Sequence, residues 1–124
     1  MFKRVEKRVA FGERLSQKTN IQHDITRSRC EIEQCRLLVL AAASKMDEQG
    51  PKEARDYISM VKIVAPQICH DVAERAMPMH GGMGVTESSP IPRIRLLSRV
   101  CQIADGPDEV HMSQLARRTI RDNY

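Results

Sequence analysis

Met79-His80-Gly81-Gly82-Met83-Gly84 closes a long apolar helical pattern, and Ile103-Ala104-Asp105-Gly106-Pro107-Asp108-Glu109 opens another about twenty residues later. Glycines directly after a helix suit the positive backbone angles of a helix C-terminus. An acid and a glycine followed by proline and two further acids suit a helix start. Proline is pre-set for the first turn, and the carboxylates meet the positive end of the helix dipole. These two turns fix where the chain reverses.

Outward from them the chain reads as helices, with no convincing strand. The pattern before the first turn runs from about Lys52 to Met79, with a stripe of Tyr57, Ile58, Val61, Ala65, Ile68, Val72 and Ala76. Pro66 removes one backbone hydrogen bond inside it and predicts a kink, and Pro78 repeats the problem near the end. Asp47-Glu48-Gln49-Gly50-Pro51 supplies a glycine stop and a proline start. Before it, a helix from about Ile21 to Met46 places Ile25, Ile32, Cys35, Val39, Ala42 and Met46 near a 3.5-residue repeat. Residues 1 to about 9 read as the last turns of a helix that has been cut, ending near Phe11-Gly12. Gly81 to Pro92 reads as a loop, followed by a short helix from about Arg93 to Ile103 and a last one from about Pro107 to Asp122. The fold class is all-α, an up-and-down helical bundle whose first helix is truncated. So short a stub cannot cover two long apolar faces, so the chain either oligomerises or is a piece of something longer.

Composition supports helices. Aromatics are 3% of the chain and Trp is absent, which leaves an aliphatic core that includes seven Met. The net charge of +4 is a mild basic excess. Arg93, Arg95 and Arg99, and again Arg117, Arg118 and Arg121, suit either an anionic ligand or a solvated helix face. No aromatics interleave with them, which argues against a nucleic-acid surface. Cys30, Cys35, Cys69 and Cys101 lack CxxC spacing and are expected to be buried free thiols. The four histidines are scattered, so no metal site is expected. No run has the length and apolarity of a transmembrane helix, and the charged N-terminus lacks a signal-peptide apolar region.

Each motif alone has two readings. Gly81-Gly82-x-Gly84 is a helix cap, or a place where backbone approaches a ligand that side chains would block. Asp105-Gly106 followed by Pro107, Asp108 and Glu109 is an ordinary cap, or a carboxylate held on a tight turn beside free amides. Arg8 with Phe11-Gly12 is a charged helix end and a stop.

Taken in order, Arg-x-x-Phe-Gly, two long helices, Gly-Gly-x-Gly, a short helix and acid-Gly resemble the C-terminal helical domain of the acyl-CoA dehydrogenases, over essentially the whole chain. Glu31-Ile32-Glu33-Gln34-Cys35-Arg36-Leu37-Leu38-Val39-Leu40-Ala41-Ala42 and Ala104-Asp105-Gly106-Pro107-Asp108-Glu109-Val110-His111 resemble most the animal subgroup numbered ten and eleven in that family. The resemblance implies an FAD-dependent oxidoreductase that dehydrogenates acyl-CoA thioesters at the α,β carbons in fatty-acid β-oxidation. The family's catalytic Glu falls on Asp105, one methylene shorter. Gly106 falls where backbone lies near the thioester. Pro107, Asp108 and Glu109 fall where the family contacts FAD. Arg8 and Phe11 match residues that reach the flavin's diphosphate and ring from a neighbouring subunit. Pro78, Met79, His80, Gly81 and Gly82 match the segment around the cofactor's adenosine half.

Three positions depart from the family pattern: Pro78 and Thr19 each stand where it has Gln, and Leu96-Leu97 stands where it has Arg-Asp. The resemblance further implies a homo-oligomer (dimer or tetramer) and a mitochondrial location, with peroxisomal or cytoplasmic alternatives. The family's N-terminal and middle domains have no counterpart in residues 1–124, so this chain by itself is not expected to turn over substrate. The rival expectation is a non-enzymatic helical interaction module, or a short isoform that pairs with full-length subunits.

Overall fold

Gly50, with φ +80, is the hinge between two helices of about thirty residues each. In the computed structural model, which describes residues 1–122, α1 spans Phe2–Lys7, α2 Thr19–Gln49, α3 Pro51–His80, α4 Ile91–Ile103 and α5 Asp108–Asp122. A single turn of 3₁₀ helix, Gly81–Val85, follows α3, and another, Leu15–Gln17, precedes α2. The fold is all-α, and α3 is its hub, packing against α2, α4 and α5.

The helix boundaries fall within a few residues of those expected, and α3 continues through both Pro66 and Pro78 as one helix. Pro107 lies just outside α5, where its carbonyl accepts the N–H of Val110 at 2.9 Å. The expectation of no strand needs correction. Val9–Ala10 (β1) and Glu13–Arg14 (β2) pair antiparallel, Val9 opposite Arg14 and Ala10 opposite Glu13. Phe11 (φ +56) and Gly12 (φ +84) form the two-residue loop, and both have the positive φ that such a hairpin turn demands.

The seams of α3 combine small apolar contacts with polar clamps. Ala73, Ala76 and Ile91 are buried together, with Met1 and Met77 against them. Toward α2, Arg75 Nε donates to Ser28 Oγ at 3.0 Å and the guanidinium also binds Glu31. Toward α4, Gln102 Nε2 donates to Gln67 Oε1 at 3.1 Å. Toward α5, Arg118 pairs with Asp56 and donates to Ser59 Oγ at 3.0 Å. Arg95 binds Glu74, and Arg99 binds Gln102. Of the clustered arginines, Arg95 and Arg118 thus bridge helices.

Much of the expected apolar stripe stays open. Ala42 is buried, but Ile32, Val39 and Ile58 are exposed. An apolar groove of about 600 Å³ runs between α2, α3 and α4, lined in part by Ile32, Cys35, Ile68, Cys69 and Ile94. The expectation of buried thiols fails: Cys69, on the groove, and Cys30 and Cys101, away from it, are exposed, and Cys35 is half-buried, all four free. Among the described residues no helix is long and apolar enough to cross a membrane.

Candidate functional site

Two of the sequence motifs meet in one cavity. Arg4 and Arg8, at the end of α1, line a space of about 470 Å³ together with Pro78, Met79, His80, Gly81 and Gly82 at the end of α3. The hairpin brings this about. The Arg8 carbonyl accepts the Leu15 N–H at 2.9 Å, which folds the chain back and ties the α1 terminus in place. Met79 is 2% exposed and roots the turn in the interior. His80 keeps close to its helix, with Nδ1 2.9 Å from the Ala76 carbonyl oxygen. Gly81 ends α3 at φ +59, ψ −141, a conformation in which a Cβ is strained. Around Gly81 and Gly82 a Cβ would meet nothing within 4 Å, so the backbone at this turn is open to approach.

Arg4 is a cavity residue that the motifs alone do not pick out. Its Nε is buried and has no hydrogen-bond partner among the described residues. A buried guanidinium nitrogen without an acceptor is costly unless an anion meets it. Its four-residue offset from Arg8 on one helix face was the available signal. Two arginines beside an open glycine turn fit a diphosphate, which guanidinium groups bind through charge-assisted hydrogen bonds. The donor set therefore suits a diphosphate.

Phe11 does not line this cavity. It stands at the hairpin tip, 97% exposed, with Lys18 Nζ 5.6 Å from its ring centroid.

The acidic turn lies apart from the cavity lining. Asp105 is exposed and sits at φ +54, followed by Gly106 at φ +94. Two successive left-handed residues turn the chain sharply from α4 into α5. His111 packs under the turn, with Nε2 3.3 Å from the Asp105 carbonyl oxygen and 3.1 Å from a Cβ placed on Gly106. Asp108 opens α5 half-buried, and Glu109 is exposed beside it. Asp105 is thus exposed on a constrained backbone. Among the described residues no cluster of His, Cys, Asp and Glu could hold a metal.

Comparison with known proteins matches residues 1–120 to the C-terminal domain of acyl-CoA dehydrogenases. Acyl-CoA dehydrogenase family member 11 of Rattus norvegicus is 40% identical over 122 residues, 98% of this chain and 16% of the rat protein. Acyl-CoA dehydrogenase family member 10 of Mus musculus is 42% identical over 119 residues, 96% of this chain and 11% of that protein. The structure of butyryl-CoA dehydrogenase from Megasphaera elsdenii superposes with a TM-score of 0.88 at 28% identity, covering 96% of this chain and 30% of that one. The chain therefore spans less than a third of the length of each of these proteins.

Proposed function

Because this chain belongs to the acyl-CoA dehydrogenase family as its C-terminal domain, we propose that it supplies the proton-abstracting carboxylate, part of the FAD surface and an oligomer interface to an enzyme that desaturates acyl-CoA thioesters. The observation that carries this reading is the single cavity joining Arg8 to Met79–Gly82, about seventy residues away in sequence. Arg8, with Arg4 beside it, would hold the cofactor's diphosphate, and the backbone of Met79–Gly82 would flank its adenosine half. Phe11, outside that cavity, would meet the flavin side of a neighbouring subunit. Pro107, Asp108 and Glu109 would contribute further flavin contacts. Bound FAD supplies the hydride acceptance that no side chain provides.

Asp105 is the base in this reading. Its carboxylate takes the proton from the carbon α to the thioester, and Gly106 lets backbone approach the thioester oxygen. Acyl-CoA is the substrate class, in fatty-acid β-oxidation, and a mitochondrial location belongs to the same reading.

The test is absorbance after incubation with FAD and gel filtration, followed by Asp105→Asn in a complete enzyme. Retained flavin that Arg8→Ala releases supports the cavity. Asp105→Asn with flavin bound and turnover lost supports the base, and near-normal turnover places the base elsewhere.

A second reading, a helical interaction module that pairs with full-length subunits, is favoured by the open apolar groove between α2, α3 and α4. Concentration-dependent sedimentation of a flavin-free chain would support it.

A further inference from the structure

Lys62 lies in the middle of α3, carries no motif, and touches both sides of the acidic turn. Its Nζ donates to the Cys101 carbonyl, in the last turn of α4, at 2.5 Å. The same Nζ lies 3.5 Å from Oδ1 of Asp108, the first residue of α5. Both side chains are largely withdrawn from solvent, 19% and 15% exposed. Asp108 Oδ1 is buried and accepts no hydrogen bond among the described residues, so the ammonium is the cation that answers its charge.

Between the two points that Lys62 grips lie Ala104, Asp105, Gly106 and Pro107. Asp105 and Gly106 are the left-handed pair of this turn. Lys62 thus links α3 to both flanking helices, and His111, on α5, supports the turn from within it.

We propose that Lys62 is the positioning residue of the Asp105 turn, a clamp that fixes where the carboxylate stands relative to the helical body. The inference deepens the proposed reaction and rests on reading Asp105 as its base. The physical reason is charge and reach. One ammonium with three donors satisfies a helix C-terminal carbonyl and neutralises a carboxylate at the next helix N-terminus. Removing it leaves the Asp108 charge without its cation and the α4 end with one tie fewer, the Gln102–Gln67 bond remaining. The link between the two helix ends is then loosened, and a misplacement of about 1 Å at a reacting group costs about a hundredfold in rate.

The experiment is hydrogen–deuterium exchange on the full 124-residue chain, comparing Lys62→Met with Lys62→Arg and with Asp108→Asn. Lys62→Met keeps the aliphatic stem and removes the ammonium. The expected result is exchange at least about tenfold faster across residues 103–111, with α2 unchanged and with substantial recovery in Lys62→Arg. Adding Asp108→Asn to Lys62→Met should give little further change, because the two share one interaction. Equal acceleration in α2 and α3 would show general loosening and overturn the proposal, as would an unchanged turn. This readout does not involve turnover, so it stands or falls separately from the assignment of Asp105 as base. If Asp105→Asn keeps its activity while Lys62→Met loosens the turn, the clamp is real and the base reading is wrong. In a complete enzyme, Lys62→Met should lower kcat about tenfold or more with KM within about twofold. A purely structural lesion would lower the amount of active enzyme and leave both constants per active site intact.

Discussion

Arg75 on α3 binds Glu31 on α2 while its Nε donates to the buried Ser28, so one guanidinium ties two turns of the neighbouring helix. Burial pushes the Glu31 carboxyl up, but hydrogen bonds from Arg75 and Arg27 and the charges of both bring it below the ordinary value of 4.5. A carboxyl held low in the folded chain stabilises it fully above the ordinary value. That contribution is lost as the pH falls through the lowered one. The melting temperature should therefore drop on acidification below about pH 4.5, and Glu31→Gln should flatten that part of the profile. Arg75→Met at neutral pH should cost about 1–3 kcal/mol, read by thermal unfolding followed by circular dichroism.

Gly84 and Gly82 make a matched pair. A Cβ on Gly84 would stand 2.2 Å from the Met77 carbonyl oxygen, whereas one on Gly82 would meet nothing within 4 Å. Gly84→Ala should destabilise by about 1–3 kcal/mol, since backbone must move to make room. Gly82→Ala should leave the melting temperature within a degree or two. If both substitutions are equally tolerated, the close packing of the turn against the end of α3 is not as described.

Docking of α5 depends on Arg118, which spans from Asp56 to the buried Ser59. The apolar contacts of α5 are shallow, with Val110, Met112 and Ile120 exposed. Arg118→Met should release the second half of α5 while α2 and α3 remain folded. Limited proteolysis with cleavage appearing first beyond residue 110 checks this.

The cavity at the α1 terminus should recognise a diphosphate. Arg8→Ala is expected to weaken binding of ADP to the full chain about tenfold or more, and Arg4→Met should weaken it as well. Isothermal titration at two salt concentrations separates this from general attraction to a basic protein, which fades with salt.

The long helices were readable because their boundaries carry local chemistry: Gly50-Pro51 both stops and starts, and Gly81 needs its positive φ. The hairpin was not readable. Each strand is two residues long, and Phe at a left-handed position is something no propensity favours. The exposure of the cysteines is not legible in the sequence, because a periodic stripe says which residues share a face and not whether anything covers it. Of the site, the glycine and acidic turns were visible as motifs. The meeting of Arg4 and Arg8 with the Met79–Gly82 turn, and the reach of Lys62 to Cys101 and Asp108, arise from packing between distant segments. Nothing in a local window encodes them.

Phe11 presents its ring on a turn whose backbone is already fixed by the β1–β2 pairing, with the Lys18 ammonium over the ring. A flexible tip would lose conformational freedom on meeting another surface, and that loss would subtract from any binding gained. Here the backbone ordering happens during folding, so that part of the cost would not recur when the ring is buried against another surface. Encounter is then limited by orienting two rigid bodies, and complexes made through this tip should differ mainly in how slowly they separate.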